Sequence, residues 1–180
     1  VRGMLTDQIV TIAETVRLGG IIAYPTEAVF GLGCDPRHLT AVQRILALKQ
    51  RSAAKGLILV AADFQQLHDY VLPLDQAMQQ RILPTWPGHV TWVLPAHSHI
   101  SPLLRGEHST LAVRISAHPA IQTLCQYLGH PLVSTSANLN GHPPFRDIQA
   151  LKATLGQQID GLLDWPLGDR TQPSEIRDGK

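Results

Sequence analysis

Lys49, Arg51 and Lys55 place three cations within seven residues, just ahead of the apolar run Leu57-Ile58-Leu59-Val60. No acidic side chain occurs between Asp35 and Asp63, while Arg37 and Arg44 add to the positive charge there, so no nearby carboxylate in sequence neutralises it. An anion is the natural partner. The arginine fork suits bidentate phosphate or carboxylate binding and lysine supplies a mobile point charge, which together describe a polyphosphate or acyl-phosphate site. A plainer alternative stays open. Lys49 also closes an apolar helical pattern (Val42, Ile45, Leu46), and cations gather at helix C-termini for dipole reasons alone.

A second cluster lies in PLVSTSAN. In an extended segment Ser134, Ser136 and Asn138 share one face, so two hydroxyls and an amide converge on one ligand unless they bond their own backbone in a turn. Lys49 and Arg51 have the same two-residue spacing. Arg114 is the odd residue of Leu111 to Ile115. It lies either on an exposed sheet face or in a site that holds an anion. Pro25 ends an apolar segment and leaves Thr26 and Glu27 at its mouth, where open α/β sheets carry ligand groups.

Standard signatures are missing. There is no GxxxxGK[ST] loop, Gly31-x-Gly33 has Pro36 where a dinucleotide fingerprint needs its third glycine, and GxSxG is absent. His97-x-His99 has no third metal ligand in view and sits among loop residues.

The elements that must position these groups follow from periodicity and punctuation. Thr6 can cap a helix whose apolar face is Ile9, Ile12, Ala13 and Val16, stopped by Gly19-Gly20. Further helices are expected over Thr40–Lys49, after Asp63 to near Val71, after Asp75 to near Leu83, from His118-Pro119 to Leu128, and over Asp147–Leu155. Strands are expected at Ile21–Tyr24, Leu57–Ala61, Val90–Leu94, Leu111–Ile115, Pro131 onward and Ile159–Leu163, with a loop-like tail from Trp165. In that register Thr91 shares a face with Val93, and Arg114 with Ala112. The order mixes βαβ units with one adjacent strand pair, which predicts one α/β domain over residues 1–180, a single mixed sheet covered by helices.

Composition agrees with that class. A chain of 180 residues, 44% hydrophobic and 16% charged with zero mean hydropathy, has enough core to fold without a staple and does not look disordered. Cys34 and Cys125 have neither zinc nor CxxC spacing, and no targeting pattern or membrane-length apolar run is visible, so reduced thiols and a cytoplasmic location without membrane contact are expected. Net charge is only +1, yet residues 36–146 hold nine Lys/Arg against four Asp/Glu, a net of +5, while the segments before and after each come to −2. A basic hollow with acidic flanks is expected, and general nucleic-acid binding by phosphate neutralisation is not.

Taken in order, YPTEAVFGLGCDP, LKQRSAAKGLILVAA, WPGHVTWVLPA, LAVR, PLVSTSANLNG and PSEIRD resemble the threonylcarbamoyl-AMP synthase family, the YrdC-like domain in its short bacterial form, over nearly the whole chain. The family's KxR and SxN pattern falls on Lys49, Arg51, Ser136 and Asn138. The resemblance implies a mixed twisted sheet around a basic concave site, and an enzyme joining L-threonine, bicarbonate and ATP into threonylcarbamoyl-adenylate with release of pyrophosphate. It implies Mg²⁺ with the ATP, a tRNA-modifying transferase complex that receives the adenylate, and RNA contact at most as a secondary property. By the same resemblance Lys49 and Arg51 are catalytic. Lys49, Arg51, Lys55, Ser134, Ser136, Asn138, Arg170 and Ser174 bind ATP, with the last two closing from the tail. Thr26, Thr91 and Arg114 hold threonine, the guanidinium on its carboxylate. Ser52, His89 and Asn140 depart from the family pattern, which has proline, proline and serine there. The chain ends shortly after PSEIRD where relatives run on, and of these departures only this one is expected to affect the lid. Two alternatives use the same basic hollow. One is an RNA-binding or ribosome-maturation factor, which the absence of aromatic residues between Lys49 and Lys55 disfavours. The other is a carbamoyl-transfer domain of hydrogenase-maturation type, which the chain length disfavours.

Overall fold

Ile9, Ile12, Ala13 and Val16 are buried along one face of the first helix, α1 (Leu5–Arg17), in a computed structural model that describes residues 5–52, 54, 56–139 and 141–179. Thr6 lies inside this helix, so it is not the cap that its position suggests. The others are α2 (Leu39–Lys49), α3 (Gln76–Ile82), the short α4 (Pro102–Arg105), α5 (Pro119–Leu128) and α6 (Ile148–Leu155). Asp75, His118 and Asp147 each accept a backbone N–H at the start of α3, α5 and α6, where the first helical amides lack internal partners. Asp63 caps only one 3₁₀ turn, Phe64–Leu67, where a longer helix was expected. None of the described helices is long and apolar enough to cross a membrane.

The strands are β1 (Ile22–Pro25), β2 (Phe30–Cys34), β3 (Ile58–Ala61), β4 (Val90–Pro95), β5 (Thr110–Ile115), β6 (Leu132–Ser136), β7 (Gly161–Leu162) and β8 (Glu175–Asp178). They form one mixed sheet in the order β7-β1-β2-β6-β3-β5-β4-β8, with the β7–β1, β3–β5 and β4–β8 pairs parallel and the rest antiparallel. Two of these strands escape the sequence pattern. β2 carries Gly31 and Gly33, which weaken strand propensity, and β8 is the charged stretch Glu175-Ile176-Arg177-Asp178 in the tail read as loop.

Alternate residues divide between the two faces of the sheet. Leu59, Ala61, Leu111, Val113 and Val133 join α2 in one core, and Ala23 and Leu32 join α6 in another. On the opposite face Ile22, Tyr24, Val60 and Leu132 pack under α1 and α5. Ser134, Ile58 and Arg114 continue that second face beyond the two helices, and there the sheet is open to a ligand.

The glycines of β2 have a steric cause. Gly33 stands opposite Ile22 on β1 and opposite Ser134 on β6. Tyr24, fully buried, lays its ring across β2, so that a Cβ on Gly33 would come within 2.7 Å of its Cε1 and would also strike the Val133 carbonyl oxygen. The missing side chain lets the tyrosine reach Ser134 two strands away. Gly33→Ala should therefore cost about 1–3 kcal/mol of stability by overpacking, read as a lower urea midpoint; an unchanged midpoint would mean that the ring has room to move.

Candidate functional site

Helix α2 ends where Gln50 turns left-handed (φ 50°), its N–H returning to the carbonyls of Leu46 and Ala47. This stop leaves Lys49 in the last turn, near the partial negative charge of the helix end, and the side chain is buried rather than on the surface. Its Nζ donates to the Ser136 carbonyl oxygen at 2.6 Å, to Asn138 Oδ1, and at 3.5 Å to Ser136 Oγ. Ser136 Oγ donates in turn to Asn138 Oδ1 (3.0 Å), and Asn138 Nδ2 donates to the His142 carbonyl oxygen (2.8 Å), which orients the amide. Burial, with the nearby Arg51 charge added, pushes the Lys49 amine down from 10.5 to about 8. The KxR and SxN motifs, 87 residues apart in sequence, thus meet in one cluster.

Beside this cluster a cavity of about 260 Å³ is lined by Thr26, Arg51, His89, Arg114, Ser134, Ser136 and Ser174, among others. Arg51 spends Nε and Nη2 on the Gly56 carbonyl oxygen (3.2 and 3.0 Å) and also lines an adjoining hollow of about 410 Å³ with Arg105, His108 and Thr110. Ser134 Oγ accepts from Tyr24 Oη at 2.6 Å, and burial holds that phenol above its ordinary range. A larger hollow of about 620 Å³ shares no lining residue with the cavity. It is bordered by His97 and His99, whose rings stack 5.3 Å apart, and among the described residues no group of three or more His, Cys, Asp or Glu could hold a metal ion.

The other end of the cavity is built around a buried ion pair. Arg114 Nη1 donates to Glu27 Oε2 at 2.6 Å and to the Gly88 carbonyl oxygen at 3.3 Å; Glu27 also accepts from Ser116 Oγ (3.0 Å) and from the Ala117 amide (3.4 Å). Burial by itself raises a carboxyl, but here Arg114 and these hydrogen bonds outweigh it and hold Glu27 below the usual carboxylate range. Sequence reasoning singled out Arg114 and missed that Glu27 is its partner. The acidic residue at a strand mouth was the available signal. Thr26 lines the cavity from the β1–β2 loop, its hydroxyl donating to the Val29 carbonyl oxygen at 2.6 Å. The segment before β8 folds over this loop through Gly168 N to the Thr26 carbonyl oxygen (2.9 Å) and Arg170 N to the Glu27 carbonyl oxygen (3.0 Å).

Four expected ligand residues are not in the cavity lining: Lys49 and Asn138, which stay in the cluster beside it, and Thr91 and Arg170. Thr91 is fully buried, because its position in β4 turns the hydroxyl to Ser174 Oγ (2.8 Å), so it props Ser174 rather than facing the cavity. Arg170 is exposed and lines not the cavity but a neighbouring hollow, with Gln172 and Glu175, that meets the cavity at His89 and Pro173. Lys55 and Asn140 lie outside the described residues.

The comparisons with known proteins bear on the whole chain. Residues 14–180 match the Sua5/YciO/YrdC family model, described as telomere recombination. Threonylcarbamoyl-AMP synthase of Nitrosococcus oceani is 54% identical over 168 residues, 93% of this chain and 91% of that protein, and the Stenotrophomonas maltophilia protein of the same name is 54% identical over 166 residues, 91% and 89% of the two chains. Among solved structures, P. abyssi Sua5 complexed with L-threonine superposes with a TM-score of 0.89 at 28% identity over 99% of this chain. The chain spans about half of that protein's length, 52%. E. coli YciO superposes with a TM-score of 0.85 at 28% identity, covering 98% of this chain and 86% of its own.

Two outcomes follow from the charges described above. Glu27→Ala leaves Arg114 buried and uncompensated and should cost about 3–5 kcal/mol in urea unfolding, whereas a loss under about 1 kcal/mol would mean that water already screens the pair. For Lys49, whose folded value lies below its unfolded one, the cost of burying the cation is complete below pH 8 and is relieved as pH rises from 8 towards 10.5. The stability difference between wild type and Lys49→Met should accordingly move in favour of wild type between pH 8 and pH 10; a flat difference would place the amine in water.

Proposed function

Because this chain belongs to the Sua5/YciO/YrdC family, we propose that it is a threonylcarbamoyl-AMP synthase, joining L-threonine, bicarbonate and ATP into threonylcarbamoyl-adenylate and pyrophosphate. The observation that carries this reading is a cavity lined by Arg51, Ser134, Ser136, Arg114 and Thr26, with Lys49 and Asn138 bound to Ser136 directly beside it. Two anions have to meet in this reaction. Threonine carboxylated on its amine is a carbamate; its oxygen forms a bond to the α-phosphorus, the bond from that phosphorus to the bridging oxygen breaks, and pyrophosphate leaves with the electron pair. Mutual repulsion is the first barrier, and fixed cations lower it by position and electrostatics.

Lys49 and Arg51, with Lys55 following in sequence, screen the triphosphate and the departing pyrophosphate. Ser134, Ser136 and Asn138 take phosphate or adenosine groups, and Ser174 approaches from the tail. Arg51 borders both the cavity and the adjoining hollow, which supports a substrate longer than the cavity alone would hold. The threonine carboxylate goes to Arg114, with Thr26 beside it. Mg²⁺ enters as part of the nucleotide substrate. Among the described residues the cavity lining contains no Asp or Glu and the adjoining hollow only Asp178, so phosphate oxygens and water supply most of its ligands. The product passes to a tRNA-modifying transferase complex, and the threonylcarbamoyl group ends on the adenosine beside the anticodon of tRNAs that read codons beginning with A. A cytoplasmic location suits a supplier of that modification.

The test is pyrophosphate release by purified protein with ATP, Mg²⁺ and bicarbonate, with and without L-threonine, with L-serine as control. Threonine-dependent release with an adenylate product is expected, and its absence would overturn the reading. Lys49→Ala and Arg51→Ala should each lower turnover by about 10²-fold or more while ATP still binds. Unchanged turnover would remove them from the mechanism.

A further inference from the structure

Arg51 stands two residues beyond the end of α2, and its guanidinium is held by one backbone atom, the Gly56 carbonyl oxygen, which accepts from both Nε and Nη2 (3.2 and 3.0 Å). A carbonyl carries no net charge. It fixes the guanidinium and leaves the positive charge for a phosphate, as a carboxylate would not. Where Gly56 sits therefore decides where Arg51 sits.

Gly56 is set in turn by the turn that joins α4 to β5. Leu57 N donates to the Leu104 carbonyl oxygen (2.8 Å) and Glu107 N donates to the Ala54 carbonyl oxygen (3.1 Å), so the chain on both sides of Gly56 is bonded to this turn. Gly106 lies between those contacts with φ 67° and ψ −144°, a conformation open essentially to glycine alone. A Cβ there would come within 2.2 Å of the Ala54 carbonyl oxygen and 2.6 Å of the Gly56 amide nitrogen. Arg105 closes the turn, its Nε donating to the Ile100 carbonyl oxygen (3.0 Å) and its Nη1 to that of His108 (2.8 Å). Arg105 also borders the adjoining hollow beside Arg51, whereas Gly106 borders neither space.

We propose that Arg105 and Gly106 are positioning residues for Arg51: the turn they shape sets Gly56, and through its carbonyl oxygen the guanidinium that meets the phosphates. The proposal rests on the synthase reading given above. Bridging two carbonyls needs the arginine fork, whereas direct attraction of Arg105 to phosphate would need only a cation, so lysine separates the two.

Turnover and threonine KM would be measured by pyrophosphate release for Arg105→Lys, Arg105→Gln and Gly106→Ala, with melting curves to confirm folding and Gly129→Ala as the control. Gly129 has a positive φ of 79° with open space around it, so its substitution strains the backbone without displacing a neighbour. The three turn variants should lower turnover about tenfold or more with threonine KM changed less than about twofold, since a misplaced catalytic group costs rate. Gly129→Ala should keep turnover within about twofold of wild type. Arg105→Lys with wild-type turnover would assign the effect to charge and overturn the proposal, as would equal losses in Gly129→Ala and Gly106→Ala. Gly106→Ala is then combined with Arg51→Ala, or Arg105→Lys in its place should Gly106→Ala fail to fold. A residue that acts through Arg51 adds nothing once Arg51 is gone, so the double variant should turn over within about twofold of Arg51→Ala alone. Losses that multiply overturn the proposal. Nitrogen NMR of arginine-labelled protein reads the same coupling without turnover. The Arg51 Nε–H signal, identified by its loss in Arg51→Ala, should shift in Arg105→Lys and Gly106→Ala. A signal that stays in place overturns this proposal alone. Wild type that releases no threonine-dependent pyrophosphate overturns the synthase reading, and the NMR result still decides whether the turn positions Arg51.

Discussion

An ammonium buried at the end of a helix is costly unless several oxygens surround it, and Lys49 meets that condition only because α2 stops at Gln50 and β6 ends at Ser136. The Ser136 carbonyl oxygen, the Ser136 hydroxyl and Asn138 Oδ1 converge on Nζ, and the Asn138 amide is itself held by His142. Helix end, strand end and the following loop are thereby tied to one charge. With its amine held down at about 8, Lys49 is poised to gain from an arriving anion, because a phosphate oxygen would favour the ammonium that burial disfavours.

Space for that anion comes from an unequal division of the sheet. One face is packed against α2 and α6, and on the other α1 and α5 cover Ile22, Tyr24, Val60 and Leu132. Beyond those helices the same face presents Ser134, Ile58 and Arg114 to the cavity. Tyr24 marks the boundary. Its ring belongs to the core while its hydroxyl donates to Ser134, and the bare backbone of Gly31 and Gly33 is what lets the ring lie there.

Charge is distributed differently at the two ends of the cavity. Among the described residues neither Lys49, beside the cavity, nor Arg51, in its lining, hydrogen-bonds a carboxylate, whereas Arg114 is shared with Glu27. The first arrangement suits a highly charged phosphate chain. The second leaves a positioned guanidinium whose charge is partly offset, matched to a single carboxylate, and the tail segment is tied to the neighbouring Thr26-Glu27 loop through Gly168 and Arg170 and to Thr91 through Ser174.

Local pattern sufficed for α1, α2, α5, β1, β3 and β5, because apolar spacing and caps act within a few residues, and the two-residue spacings of Lys49 with Arg51 and of Ser136 with Asn138 already marked an anion site. It did not suffice for β2, whose glycines answer to a tyrosine on the neighbouring strand, or for β8, a charged edge strand held chiefly by its backbone pairing with β4. Nor did it reveal that Glu27 answers Arg114 from 87 residues away or that Thr91 turns inward to Ser174. Residue type and short-range spacing determined which groups this chain brings to its chemistry. Which of them face the ligand and which are spent on one another was decided only by tertiary structure, since strand register and burial are set by contacts between distant segments that no local pattern encodes.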